Sequence, residues 1–160
     1  MDKVARHGFT LLELLITLAV VAVLLTIGIP YMRDAILTQR VRNAVSDYHL
    51  SLVYARSEAI KRNANVDLVP VVAGSWNNGW SVQSGATALK TMDAYPALDI
   101  DGSPGTITYQ RNGRPAATVD PFNVFVSGNS GVTMRCVVVS ANGMPHIRID
   151  TDNDTANGCN

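Results

Sequence analysis

An apolar run from Leu11 to Ile29 constrains the fold of this chain most strongly, because its only ionisable side chain is the carboxylate of Glu13. An apolar helix of roughly 20 residues is long enough to cross the hydrocarbon core of a bilayer. A carboxylate within such a helix costs about 3 kcal/mol in lipid and is usually kept because it finds a partner. The run therefore predicts a membrane anchor whose single charge has a specific counter-ion.

A short charged segment, residues Met1 to Gly8, precedes this run and ends on a small residue. An ordinary signal peptidase cuts after the apolar segment and removes it, whereas a cut after Gly8 would leave the anchor in place. Phe9 would then become the N-terminus, and its ammonium would lie about one helical turn from Glu13, in the same or a neighbouring subunit. Cleavage would thus create the counter-ion of the carboxylate.

The segment from Gly8 to Glu13 resembles the class III signal of type IV pilins and of the pseudopilins of type II secretion. The resemblance implies that prepilin peptidase cuts between Gly8 and Phe9, that Phe9 is then N-methylated, and that Glu13 guides subunit register during assembly. Pro30 matches the proline that kinks the helix in that family. Expected partners are major and minor pilins through the N-terminal helix, the peptidase, and an assembly platform in the inner membrane.

Beyond Pro30, apolar residues recur in steps of three and four, which places them on one face of a helix. They are Leu37, Val41, Ala44, Tyr48, Leu52, Ala55 and Ala59. The expected organisation is a leader (residues 1–8), a membrane or filament-core helix (9–29), an amphipathic stem helix (30–62) that stops near Asn63, and a head (63–160). The stem carries a net charge of +3 and the head a net charge of −3.

Short β-prone runs separated by turn signals fill the head. The predicted strands are Val66–Val72, Trp80–Val82, Thr106–Tyr109, Val124–Val126, Val132–Ser140 and His146–Asp150. Turns are predicted at Asn78-Gly79, Asn112-Gly113 and Asn142-Gly143, and Pro70 should lie at a sheet edge or a bulge. The irregular segment from Ser84 to Ser103 is predicted to be a surface loop. The fold class is therefore α+β, with a long N-terminal helix packed on a mainly antiparallel sheet.

Two further motifs resemble the GspH/FimT group of minor pilins and pseudopilins: Tyr54–Ala59, which reads YARSEA, and Trp76–Trp80, which contains two tryptophans around a glycine. With them the resemblance spans nearly the whole mature chain. It implies a minor type IV pilin that takes part in assembly or priming of the pilus near the filament tip. From the residues themselves, we expect Arg56 and Glu58 to form salt bridges beside the first strand, and the two alanines of the motif to permit close packing.

The resemblance also implies a location: the inner membrane with the head in the periplasm, and then a pilus or pseudopilus at the cell surface. A minor pseudopilin of type II secretion has the same chemistry and remains an open alternative. The chain shows no recognisable catalytic motif and no glycine-rich loop for a phosphate. We therefore expect neither an enzyme nor a cofactor.

DNA binding in natural transformation is a further alternative, because some FimT-like pilins bind DNA through a basic GRxR-type motif. The matching place is Gly143–Arg148, where Met144 replaces the first arginine and His146 replaces the second, so that only Arg148 is left. Arg111 and Arg114 would add a basic patch if the turn between them lies beside Arg148. Because the head is acidic, pairing of these arginines with local aspartates is the simpler interpretation.

Cys136 and Cys159 are the only cysteines, and the part of the chain beyond the anchor is expected in a compartment where disulfides persist. They predict a disulfide that fastens the polar tail to the strand holding Cys136. A metal pair or a redox site would be unusual, because there is no CxxC spacing and no neighbouring histidine.

Asp150, Asp152 and Asp154 alternate like the first ligands of a calcium loop. Thr155 stands where such a loop has its turn glycine, and no glutamate closes the loop. Solvated turn aspartates are therefore the better interpretation, with calcium as the weaker one.

Overall fold

The structure, a computed structural model, describes residues 9–102, 105–152, 154 and 157–159, without the side chains of residues 27, 28 and 30. One long helix, α1 (Leu11–Arg62), is followed in these residues by eight short strands. The chain divides into two compact units with the boundary after Ala35, and α1 contributes to both. The predicted α+β class is confirmed.

The first unit contains the beginning of α1 and its N-cap. Thr10 Oγ1 accepts a hydrogen bond of 3.2 Å from the N–H of Glu13, and the Thr10 carbonyl accepts one of 3.2 Å from the N–H of Leu14. Threonine followed three residues later by glutamate is the capping-box pattern. The most apolar 18-residue stretch of α1 has a mean hydropathy of 2.6, and none of it is buried within the chain. By length and composition, this helix can span a membrane.

The helical backbone continues through Pro30 and ends at Arg62. Asn63 follows with a positive φ of 52°, which asparagine tolerates better than most residues. The Asn63 N–H donates to the Ile60 carbonyl, and the Ala64 N–H donates to the Ala59 carbonyl. These two bonds form a Schellman cap, which explains why the helix stops where the sequence predicts.

Two antiparallel sheets make up the rest of the second unit. Its strands are β1 (Val66–Val72), β2 (Ser75–Ser84), β3 (Thr87–Met92), β4 (Asp99–Asp101), β5 (Ile107–Tyr109), β6 (Phe122–Phe125), β7 (Arg135–Val139) and β8 (Pro145–Ile149). Sheet 1 has the order β3-β2-β1-β5, and sheet 2 has the order β4-β6-β7-β8. Every pairing is antiparallel, as predicted.

The prediction of a loop from Ser84 to Ser103 is wrong, because this segment contains β3 and β4. Both strands lie at sheet edges and bury few side chains, so they lack the alternation of apolar and polar residues that marks a strand. The predicted turn at Asn78-Gly79 is also wrong, since β2 runs straight through it with Gly79 at a φ of 90°. Pro70 lies at a shift of register between β1 and β2, in agreement with the predicted bulge.

An aromatic cluster forms the centre of the core between α1 and the sheets. Tyr48 stacks on Phe122 with ring centroids 3.8 Å apart, and it meets Trp76 and Trp80 edge-on at 5.6 and 5.5 Å. Trp80 Nε1 donates a hydrogen bond of 3.0 Å to Ser51 Oγ. Complete burial raises the pKa of the Tyr48 hydroxyl well above its usual value. The two tryptophans of the second motif are therefore core residues.

Candidate assembly surfaces

Glu13 lies in the first turn of α1 on an otherwise apolar, exposed surface. Its backbone N–H is bonded to the cap, and its carboxylate forms no ion pair with any described residue. The positive end of the helix dipole favours a negative charge at this position. Such a surface can be covered by lipid or by other apolar helices, and the carboxylate then needs a cation that the described side chains do not supply.

The predicted cleavage site lies at the limit of the described residues. Gly8 and the rest of residues 1–8 lie outside them, whereas Phe9 is described and is 81% exposed just before α1. Pro30, the predicted kink, is helical in its backbone, and its side chain is outside the description.

The YARSEA motif packs the end of the stem against the head, but its charged residues do not act as predicted. Glu58 is buried and pairs within the helix, with Arg62 Nε at 2.6 Å and Lys61 Nζ at 3.3 Å. The hydrogen bond from Arg62, followed by the contacts with Lys61, lowers the pKa of the Glu58 carboxyl. Arg56 instead donates from Nε to the Gly113 carbonyl at 2.9 Å. Neither residue forms a salt bridge with β1, because both find nearer partners.

The Gly113 turn packs directly against the hairpin turn at Gly143. A Cβ at Gly143 would lie 2.1 Å from the Gly113 carbonyl oxygen, and the φ of Gly143 is 83°, so glycine is required here. Tyr109 Oη donates a hydrogen bond of 3.2 Å to the Gly143 carbonyl, and burial raises the pKa of Tyr109 to about 12. These contacts fix the Gly113 turn at the start of β8.

The candidate DNA-binding residues are all exposed, but they lie in two places. Arg148 and His146 are on the same face of β8, while Arg111 and Arg114 flank the Gly113 turn. Arg148 follows Pro145 by three residues, which is about 10 Å along a strand. The turn therefore lies beside Gly143 rather than beside Arg148.

Cys136 and Cys159 form a disulfide, with Cα atoms 6.0 Å apart, as the sequence predicts. Cys136 pairs across sheet 2 with Asn123 and Arg148, on the face opposite to Phe122 and therefore away from α1. Cys136 is nevertheless fully buried. The disulfide thus holds the end of the chain over the outer face of sheet 2.

Replacing Cys159 by serine should lower the free energy of unfolding by about 3 kcal/mol, because the disulfide restricts the unfolded chain. Urea unfolding of the oxidised protein in detergent, followed by tryptophan fluorescence, measures this loss. Reduced wild type is the control, and its urea midpoint should equal that of the Cys159→Ser variant. The midpoint of the variant should not change when reductant is added. Equal midpoints for oxidised and reduced wild type would contradict the stabilising role.

The three alternating aspartates have local partners. The Asp150 side chain is buried, and the backbone N–H of Asp150 donates to the Met134 carbonyl at 3.1 Å. The Asp152 carboxylate accepts hydrogen bonds from the N–H of Asp154 and from Nδ2 of Asn157. Within the described residues, no group of three or more histidines, cysteines or carboxylates could hold a metal ion.

Some residues of these surfaces were missed by sequence reasoning. The Thr10 cap has a recognisable signal, because threonine stands three residues before Glu13. His49, which donates from Nε2 to the Pro145 carbonyl at 3.2 Å, has no local signal. Neither has Arg135, whose pKa is lowered by burial and by the nearby charge of Arg42. Both contacts depend on which strand lies beside α1.

Comparison with known proteins gives matches over both parts of the chain. The family model described as type II transport protein GspH matches residues 44–143, and the prokaryotic N-terminal methylation motif matches residues 3–29. No curated protein sequence matches significantly.

Two crystal forms of the type IV minor pilin FimU from Pseudomonas aeruginosa strain PAO1 have a similar fold. In one form the TM-score is 0.56 at 20% identity, over 74% of this chain and 99% of that chain. In the other it is 0.58 at 20% identity, over 76% and 96%. The GspH match covers most of the second unit, and the methylation motif covers the exposed apolar helix. The chain therefore belongs to the GspH family of type IV pilin-like proteins.

Proposed function

We propose that this protein is a minor type IV pilin that takes part in assembly and priming of the pilus near the filament tip. The observation that carries the proposal is the apolar surface at the start of α1, which no described residue covers and which holds a single carboxylate at Glu13. A structural resemblance to a protein described as a minor pilin supports the assignment to the minor subunits.

Processing would divide the chain as the sequence suggests. Prepilin peptidase would remove residues 1–8 and expose the nitrogen of Phe9, which would then be methylated. Residues 9–29 would hold the protein in the inner membrane, with the stem and head in the periplasm until the subunit enters the filament. Pro30, at the junction of anchor and stem, would allow the helix to bend there because it removes one backbone hydrogen bond.

The mechanism follows from the surface of the anchor. When several subunits meet, their apolar helices pack together, and the Glu13 carboxylate of one subunit neutralises the Phe9 ammonium of its neighbour. Packing between helices in a membrane depends on close contact and polar pairs more than on the hydrophobic effect. The carboxylate would therefore set the register of the subunits, and the head would present a surface to other pilins.

Deletion of the gene should greatly reduce the amount of major pilin that can be sheared from cells, because few filaments would be started. The measurement compares sheared pilin in wild type, the deletion strain and a complemented strain. Restored piliation on complementation is the control. Unchanged piliation in the deletion strain would overturn a role in priming the pilus.

A minor pseudopilin of type II secretion is a second candidate, favoured by the description of the matching family. The anchor chemistry would be the same, and the output would be export of folded proteins. In this case the deletion strain would keep its pili and accumulate secreted proteins in the periplasm. Fractionation of the same strain therefore distinguishes the two candidates.

A further inference from the structure

The outer edge of β8 carries backbone groups that no described residue satisfies. β8 is the last strand of sheet 2, and among the described residues it pairs only with β7. The Asp150 N–H bonds to the Met134 carbonyl, and the Ser140 N–H bonds to the Met144 carbonyl. These two bonds show which residues of β8 direct their backbone N–H and C=O groups toward β7 and which direct them outward. By this pattern the N–H and C=O groups of Ile147 point away from β7. Those of Ile149 do the same.

Pro145 fits this pattern, because its backbone nitrogen also faces outward, where no N–H is needed to bond to β7. The outward carbonyl of Pro145 is taken by His49 of α1 at 3.2 Å. The two isoleucines further along have no such partner among the described residues. The open edge, defined as residues 146–149, is therefore a template for another strand.

The two faces of the open edge differ in chemistry. Ile147 and Ile149 are 43% and 52% exposed, and they lie on the face shared with Val137, toward α1. His146 and Arg148 are exposed on the opposite face. A strand added at this edge would thus meet the two isoleucines on one face, with Arg135 behind them on β7, and His146 and Arg148 on the other face.

Arginine side chains stand near the open edge, with Arg148 on β8 itself, Arg135 on β7 and Arg42 on α1. Arg135 pairs across the strands with Ile149, and Arg42 of α1 lies close enough to act on its charge. Neither of these arginines, nor Arg148, forms an ion pair with a described residue. An acidic partner would therefore be favoured over a neutral or basic one.

We propose that the open edge of β8 binds an extended segment of a neighbouring pilin-family subunit in which acidic and apolar residues alternate. Apolar side chains of that segment pack on Ile147 and Ile149, and an acidic side chain lies opposite Arg148. Strand addition supplies affinity through backbone hydrogen bonds, and the alternating side chains supply specificity. The inference rests on the proposed function, since it names the kind of partner that the head meets during assembly.

A nucleic acid fits the open edge less well. It would use the charge of Arg148 but neither the outward backbone groups nor the two isoleucines. Phosphate binding without sequence preference depends on several basic contacts, and the basic turn at Gly113 lies at the other end of β8.

The test uses the full-length processed protein in detergent micelles and a fluorescent, end-blocked peptide of alternating glutamate and valine. We expect saturable binding by fluorescence anisotropy. Arg148→Glu should weaken it by at least about tenfold, because an opposite charge becomes a like charge. Ile147→Pro should abolish it by removing an outward N–H, at an edge position where proline is tolerated. Arg114→Glu, at an exposed site away from the open edge, is the matched control and should bind as wild type.

A second measurement leaves the protein unchanged and so does not depend on the folding of a variant. N-methylation of the peptide nitrogens that face β8 should abolish binding, and an alternating lysine–valine peptide should not bind. Lack of binding by the glutamate–valine peptide, equal binding by the lysine–valine peptide, or no loss with Arg148→Glu would each overturn the proposal. Tighter binding of a labelled DNA oligonucleotide that is lost in Arg148→Glu would do the same.

The result of the peptide-binding test can be distinguished from the result of the gene deletion. Loss of piliation in the deletion strain without peptide binding would leave the proposed function standing and remove the open edge from it. Peptide binding with unchanged piliation would keep the open edge and remove the role in priming.

Discussion

Glu13→Val should abolish incorporation of the protein into filaments while leaving membrane insertion and processing intact. Valine is easier than glutamate to place in lipid, so the anchor itself should not suffer. In the filament, however, the ammonium of a neighbouring Phe9 would lose its carboxylate. Removal of one partner from a buried ion pair costs about 3–5 kcal/mol. A cost of this size lowers incorporation by more than about 100-fold.

The measurement is an immunoblot of sheared filaments and of membranes, with the mass of the mature chain reporting cleavage after Gly8. Thr17→Val is the matched control, because Thr17 is a polar residue one turn further along α1 whose hydroxyl donates to the Leu14 carbonyl at 2.8 Å and bonds to no other described residue. This control should be incorporated normally. Normal incorporation of Glu13→Val would rule out charge neutralisation as the assembly signal.

Phe122→Ala should have the largest effect on the stability of the second unit, about 3–5 kcal/mol in the free energy of unfolding. The Phe122 ring is fully buried, stacks on Tyr48 and meets Trp76 edge-on at 4.7 Å. Alanine would leave a cavity between α1 and sheet 2 that these rigid rings fill poorly. Urea unfolding in detergent measures the change, because both tryptophans are in the same core.

Phe125→Ala is the control for this substitution. Phe125 is on the same strand, on the opposite face, and is only partly buried. Its truncation should cost much less, because folding of the protein removes less apolar surface of this ring from water. Equal losses at the two positions would contradict the larger contribution that we assign to the aromatic cluster.

Local patterns in the sequence were sufficient for the helix and for most of the sheet. The steps of three and four from Leu37 to Ala59 predicted the buried face of α1, and every one of these residues is buried. Asn63 ends the helix as predicted, because its left-handed conformation is a property of one residue and its neighbours. The pairing of Cys136 with Cys159 needed only that there are two cysteines and a suitable compartment.

Other features were beyond local patterns. β3 and β4 are edge strands that bury little, so backbone pairing with β2 and β6 defines them rather than their side chains. Asn78-Gly79 has the composition of a turn, yet two buried tryptophans hold it within β2. Long charged side chains such as Arg56 bond to whichever group the fold brings within reach, here the Gly113 carbonyl.

The sequence alone determined that this chain has an apolar helix with one charge, a stem with one buried face, and a β-rich head closed by a disulfide. Hydrophobic periodicity, charge position and turn chemistry are local properties, and they can be seen without a fold. The tertiary structure alone decided which strand of sheet 2 is left at the edge and which backbone groups of β8 point outward. It also decided which arginines stand near that edge. These features depend on contacts between residues far apart in the chain, and no local pattern encodes them.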